Sequence, residues 1–311
     1  MKPVMQGLKA NLSLVRPAPH PEASGGRLRL LDYVELTKPE VNFLVVFTTA
    51  VGFYLGAQGA WKVLLLLHTL IGTALVAAGT ATLNEFMERD ADARMRRTAN
   101  RPLPAGRLAP RQAFWFGVAL AAGGAFQLAL FVNFLSSLLA FLTLSGYLFL
   151  YTPLKKKTTL CTLVGAFPGA MPPLIGWAGA RGDLSLEAWI LYAILFLWQF
   201  PHFLAIGWIY REDYARGGIR MLSVEDAQGR ATFRQIVGCL LVLVPVSLSP
   251  ALLGMAGSLY FFGALVLGLV FLQCGVWAAM SRSKTQARRL VHASVIYIPL
   301  VYGLLMWDKL A

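Results

Sequence analysis

Nine stretches of this chain, residues 41–57, 63–83, 112–132, 136–151, 160–177, 188–208, 236–255, 259–280 and 291–307, are apolar along most of their length. Each is close to the roughly 20 residues that a helix rising about 1.5 Å per residue needs to cross a bilayer core of about 30 Å. Inside hydrocarbon every backbone polar group must be bonded internally, so continuous runs of this kind fold as a bundle of helices. The composition agrees: of 311 residues, 57% are hydrophobic and 14% charged, against about 45–50% and 25% for soluble domains. That excludes a soluble globular enzyme and a disordered chain. Cys161, Cys239 and Cys274 all lie in apolar runs without metal-type spacing, which excludes a disulfide framework. The expected fold is all-α and polytopic. About nine transmembrane helices surround a central cavity in one domain over 31–311, preceded by a disordered tail over 1–30. The 160–177 run holds three prolines and three glycines, so a kinked helix is expected there.

The chain carries 28 Lys and Arg against 15 Asp and Glu, a net charge of +13. On a soluble protein that excess would suggest nucleic acid. Here the cations must lie outside the apolar runs, so no nucleic-acid partner is expected; the lipid bilayer and an anionic substrate are. With nine spans, 25 of the 28 cations fall on one face, leaving Lys62, Arg181 and Lys309 on the other. The asymmetry places the amino terminus and the basic loops in the cytoplasm. The short tail, with two serines, favours a bacterial inner membrane over a mitochondrial one. Trp61, Trp115, Trp177, Trp189, Trp208 and Trp307 are placed near span ends, as in an aromatic belt.

The acidic residues follow the same geography, and no charge lies mid-span. Asn84, Glu88 and Asp92 are spaced by four where the second run meets the cytoplasm, so their oxygens share one helix face. Asp90 points away from that stripe. Hard oxygens suit Mg²⁺, and Arg94, Arg96, Arg97 and Arg101, just downstream, suit phosphate. The arrangement reads as a metal–diphosphate site, against the simpler reading of a solvated loop with surface ion pairs. A second cluster follows the sixth run. Asp213 could offer a further metal oxygen, Arg211, Arg216 and Arg220 could meet phosphate, and Tyr210 and Tyr214 could hydrogen-bond it. Lys155, Lys156 and Lys157 lie on the same face and either bind substrate or simply set topology.

These residues resemble the UbiA-type intramembrane prenyltransferases over roughly 30–305. The resemblance is carried by Leu36-Thr-Lys-Pro, Asn84…Glu88…Asp92…Arg97-Thr-Ala-Asn-Arg101-Pro, Tyr151-Thr-Pro-Leu-Lys-Lys and Gly169-Ala-Met-Pro-Pro-Leu-Ile-Gly-Trp177. Trp198-Gln-Phe-Pro-His-Phe203 and Asp213-Tyr-Ala-Arg-Gly-Gly are similar to the branch that prenylates haem. The resemblance implies transfer of farnesyl from farnesyl diphosphate to a vinyl group of haem b, giving haem O. It places Mg²⁺ on Asn84, Glu88, Asp92 and Asp213. Lys38, Arg94, Arg97, Arg101, Tyr151, Lys155, Lys156, His202, Tyr210, Arg211, Tyr214 and Arg216 are then substrate-binding. Glu88 stands where the family usually has Asp, and position 217 is Gly where a second Asp is usual. Asp213 is therefore left as a metal ligand or as diphosphate support only. His202 is the haem-side histidine or, alternatively, bonds a carbonyl released by Pro201. Downstream partners would be a haem A synthase or cytochrome oxidase assembly proteins. The rivals are an aromatic-acceptor prenyltransferase of quinone biosynthesis, a neutral-solute transporter with paired broken helices, and a non-catalytic assembly factor.

Overall fold

The computed structural model describes residues 26–59 and 62–310. Most of the expected tail, His20 and Trp61 lie outside the described residues. A short helix α1 (Gly26–Leu36) leads to α2 (Pro39–Gly56), α3 (Val63–Asp92), α4 (Pro110–Phe131) and α5 (Phe134–Leu154). Then come two half-length helices, α6 (Cys161–Gly169) and α7 (Pro172–Arg181), and the long α8 (Leu186–Ile209). Two short helices, α9 (Arg211–Gly217) and α10 (Leu222–Glu225), precede α11 (Arg230–Leu252), α12 (Ser258–Ser281) and α13 (Lys284–Trp307). Among the described residues eight helices are long and apolar enough to span a membrane, and α6 with α7 completes a ninth crossing. The chain is a multi-pass membrane protein.

Three elements differ from expectation. The second span does not stop at Leu83 but runs to Asp92, so the acidic stripe is part of a rigid transmembrane helix. The fifth crossing is not a kinked helix but a broken one. Pro172 and Pro173 lack the N–H groups that would continue the ladder from α6, and the chain restarts as α7. It is the one crossing split in this way among the described residues, whereas the transporter reading needs a pair. Finally, α5 widens into a π-helical turn over Gly146–Tyr151 just before Pro153, a feature that often accompanies functional sites.

The ends of the helices sort as the charge count requires. The start of α2 and the ends of α3 and α5 meet at one end of the bundle, where Lys38, Glu85, Glu88 and Lys155 are paired. At the opposite end Lys309 Nζ caps the Tyr54 and Ala57 carbonyls, each at 3.2 Å. Trp115, Trp189 and Trp307 are exposed, as a belt requires. Trp177 and Trp208 are instead buried, and the Trp208 indole donates to the Arg282 carbonyl at 2.9 Å.

Close backbone approach holds α7 against α2. A methyl on Gly52 would fall on the Pro173 carbonyl, and one on Gly176 on the Thr49 carbonyl. Lipid tails are as apolar as side chains, so such tight packing and polar bonds between helices carry the association. The Tyr302 hydroxyl, which donates to the Leu191 carbonyl at 2.7 Å, is one such bond between α13 and α8. Replacing Gly52 with Ala should cost about 1–3 kcal/mol by overpacking. A lowered thermal midpoint in detergent, compared with the same change at Gly123, where open space surrounds the α-carbon, checks it.

Candidate active site

The carboxy-terminal end of α3 presents four buried polar side chains: Asn84, Glu85, Glu88 and Asp92. A buried carboxylate must be paired or hydrogen-bonded to stay charged, and each of these is. Glu88 is held by Lys155 Nζ at 2.9 Å, and Asp92 Oδ2 receives Arg101 Nη1 at 2.8 Å. Glu85 Oε1 lies 3.5 Å from both Lys38 Nζ and Arg101 Nε. Asn84 accepts from Lys38 at 3.4 Å and donates to the Thr152 hydroxyl at 3.1 Å. Three carboxylates therefore face three cations, one each from the start of α2, the α3–α4 loop and the end of α5.

Glu85 is missing from the spacing-by-four stripe, yet it is as deeply buried as Asn84. The signal that would have found it is the i, i+3, i+7 spacing of 85, 88 and 92, which selects the same face. Its Oε2 is buried without a hydrogen-bond partner among the described residues. An unpaired carboxylate oxygen at that depth is costly, and a hard cation would satisfy it. Among the described residues no three acidic, histidine or cysteine side chains are already gathered as a metal cage; the carboxylates are instead paired with Lys38, Arg101 and Lys155. The donor set of one amide and three carboxylates nevertheless fits Mg²⁺. Asp90 is exposed and pairs with Arg89.

The supporting residues explain how the cations are held. Lys38 adopts a left-handed backbone, φ 49°, immediately before Pro39, and its side chain points at Asn84 and Glu85. Burial pulls the Lys38 ammonium below its ordinary pKa, against the pull of Glu85. Tyr147, Tyr151 and Lys155 repeat every four residues through the wide turn of α5. The Lys155 ammonium lies 4.4 Å from the Tyr151 ring centroid and 5.9 Å from that of Tyr147, a cation–π cradle. Tyr147 is a second residue the motif reading did not include.

The remaining expected residues fall into three groups. Asp213 accepts from the Arg96 backbone N–H at 2.9 Å and from the Arg216 guanidinium. Burial works against its charge, but those donors hold it below the usual carboxylate range. Here it clasps the α3–α4 loop to α9. Arg94 does the same, donating to the Arg216 and Gly217 carbonyls at 3.3 and 3.0 Å. Arg97 sits over the rings of Tyr210 and Tyr214, at 5.2 and 5.9 Å. Arg211 lies against Trp208 and reaches the Ala227 carbonyl, away from the carboxylates, and Lys156 is exposed. Arg220 bridges Glu225 and the Lys157 carbonyl.

His202 does not bond a carbonyl released by Pro201. Its Nδ1 lies 2.7 Å from Ser294 Oγ, and its ring stacks on Trp198. A straight helix from 202 to 213 is also absent, since α8 ends at Ile209 and α9 starts afresh at Arg211. His202 is thus about 10 Å inside the end of α8. His68 stacks on Phe131, and His292 is exposed.

Residues 45–297 match the UbiA prenyltransferase family. The chain is 53% identical over 287 residues to a protoheme IX farnesyltransferase of Solibacter usitatus, covering 89% of this chain and 98% of that protein. It is 47% identical to the protein of the same name from Koribacter versatilis, covering 90% and 94%. Among solved structures it resembles a digeranylgeranylglyceryl phosphate synthase with TM-score 0.74 at 17% identity, over 90% and 98% of the two chains. It also resembles a UbiA homologue from Archaeoglobus fulgidus bound to GPP and Mg²⁺, with TM-score 0.65 at 15% identity, over 88% and 99%. At these identities the structural likeness establishes the fold.

Arg101 is the one cation of the cluster that meets two buried carboxylates, whereas Arg107 pairs with Asp32 and Glu35 near the surface. Removing one partner of a buried pair costs about 3–5 kcal/mol, while a surface pair contributes about 0–1 kcal/mol. Arg101→Met should therefore lower the thermal midpoint in detergent well below that of Arg107→Met. Equal midpoints for the two variants would contradict the pairing.

Proposed function

This chain belongs to the UbiA prenyltransferase family, and from that premise we propose that it moves the farnesyl group of farnesyl diphosphate onto a vinyl carbon of haem b. The products are haem O and diphosphate, formed at the cytoplasmic face of a bacterial inner membrane. The names of the relatives support the acceptor and the donor. The observation that carries the reaction type is the buried set of three carboxylates matched by three cations at the end of α3.

The exchange this cluster permits is close to charge-neutral. Diphosphate oxygens would take Lys38, Arg101 and Lys155, while Glu85, Glu88, Asp92 and the Asn84 amide oxygen would hold Mg²⁺. When bound, the metal supplies Lewis-acid stabilisation of the leaving diphosphate. Breaking the allylic C–O bond leaves the electron pair on diphosphate and a cation on the farnesyl carbon. The three cationic side chains stabilise the first. The π faces of Tyr147 and Tyr151, already shaped to hold a cation, stabilise the second. The vinyl carbon then bonds to the farnesyl carbon, and water adds to the adjacent carbon with loss of a proton, which gives the hydroxyethylfarnesyl group. Burial of the cluster delays water until the vinyl carbon is in place. Asp213, Arg94 and Arg216 serve by holding the loop that delivers Arg101, and Arg97 remains available to guide diphosphate.

Incubating the purified protein with haem b, farnesyl diphosphate and Mg²⁺ should give a product with the mass of haem O, and a chelator should stop its formation. No haem-derived product would overturn the reading. Glu88→Ala and Asp92→Ala should each lower kcat by about a hundredfold or more, the scale on which loss of a transition-state electrostatic contact acts. Asp90→Ala should leave the rate within twofold.

A further inference from the structure

We propose that Ser294 is a positioning residue that fixes His202 as its Nδ1–H tautomer, so that the Nε2 lone pair is presented as an axial ligand to the iron of the haem acceptor. The inference rests on the acceptor reading above and deepens it.

A serine hydroxyl has one proton to donate. Ser294 Oγ lies 2.6 Å from the Val291 carbonyl oxygen, which can only accept, so the proton is directed there. Toward His202, 2.7 Å away, the same oxygen can therefore only accept, and Nδ1 must carry the hydrogen. A neutral imidazole so protonated keeps its lone pair on Nε2. Trp198 fixes the plane of the ring. It stacks on the imidazole with centroids 4.9 Å apart and 17° between planes, and its indole donates to the Ser294 backbone carbonyl at 2.8 Å. The imidazole is thus held in tautomer and in plane by two helices, α8 and α13.

Ser294 and Trp198 are buried, while His202 itself is only half-buried. Among the described residues Nε2 has no hydrogen-bond partner. One nitrogen anchored to a fixed acceptor, with the other left as a lone pair, is the arrangement that metal-bound histidines adopt. Imidazole is also a common haem ligand. Coordination here is reversible and changes no oxidation state. Its effect is to fix the porphyrin plane and hence the vinyl carbon relative to the allylic cation, an orientation effect.

The test uses the full-length protein in detergent with two ligands that both carry vinyl groups, haem b and iron-free protoporphyrin IX. Wild type should show the absorption and resonance Raman signature of histidine-ligated haem. His202→Ala should lose that signature and bind haem at least tenfold more weakly, with added imidazole restoring the signature and protoporphyrin binding unchanged. Ser294→Ala should weaken haem binding by about 10–100-fold, as loss of such a partner does at metal sites, again sparing protoporphyrin. Ser294→Thr, which keeps the hydroxyl, should recover most of the affinity. His202→Gln gives the same comparison where the alanine variant does not fold. An unchanged signature in the His202 variants alongside normal turnover overturns the ligand assignment and leaves the acceptor reading intact. Equal weakening of both porphyrins overturns it too, because that is a packing effect. A wild type that binds neither porphyrin overturns both.

Discussion

The structure depends on three carboxylates held at the carboxy-terminal end of one transmembrane helix. Charges removed from water are tolerated only when paired, and removing a single partner leaves a cost of several kcal/mol. Glu85, Glu88 and Asp92 therefore dictate where three other segments must come. The start of α2 must bring Lys38, the α3–α4 loop must fold back to bring Arg101, and the end of α5 must bring Lys155. Two of these demands have a visible local counterpart: the left-handed backbone at Lys38, and the wide turn in α5 before Lys155. The same pairing that stabilises the fold gathers the groups a diphosphate and its metal would exchange. In the proposed reading, folding and substrate binding thus draw on one set of charges.

Much of this architecture was legible in the sequence because the bilayer makes simple demands. Run length and proline carry the crossings, and the structure follows them in eight continuous helices plus one divided one. The stripe of Asn84, Glu88 and Asp92 was also legible, because spacing by four is a strong helical signal. Glu85 was not, because a three-residue step followed by a four-residue step was hidden behind the regular fours. Sequence alone also does not say which arginine faces which way. Arg94 and Arg101 stand in the same run, yet Arg94 binds backbone carbonyls of α9 while Arg101 reaches into the cluster. That choice is made by how the α3–α4 loop docks on α9, which depends on tertiary contacts.

His202 illustrates the same limit on the acceptor side. A proline one residue earlier suggested a local carbonyl as its partner, yet its partner is 92 positions away on another helix. Spacing has no access to a contact of that kind. The two sides of the reaction are therefore encoded differently. In the proposed reading the diphosphate side is written in short-range periodicity along α3, and the acceptor side in a long-range contact between α8 and α13.

This division matches what each half must recognise. A diphosphate with its metal is small, charged and satisfied by any dense cluster of oxygens and cations, so one helix end and its neighbours suffice. A porphyrin is a broad apolar plate with few polar handles, and its reactive vinyl carbon lies at the rim. Fixing such a plate calls for a surface several helices wide and a single directional bond to stop it from rotating or sliding. The broken fifth crossing packs against α8 and against the π-helical turn of α5. Gln199 ties α8 to α6 through the Ala166 carbonyl at 3.1 Å, and Trp198 and His202 tie it to α13. Helix α8 therefore links the broken fifth crossing to α13 and itself carries the histidine that, in the proposed reading, anchors the plate. In the proposed reading, loosening the contact between α8 and α13 misplaces the vinyl carbon without breaking an ion pair of the diphosphate cluster.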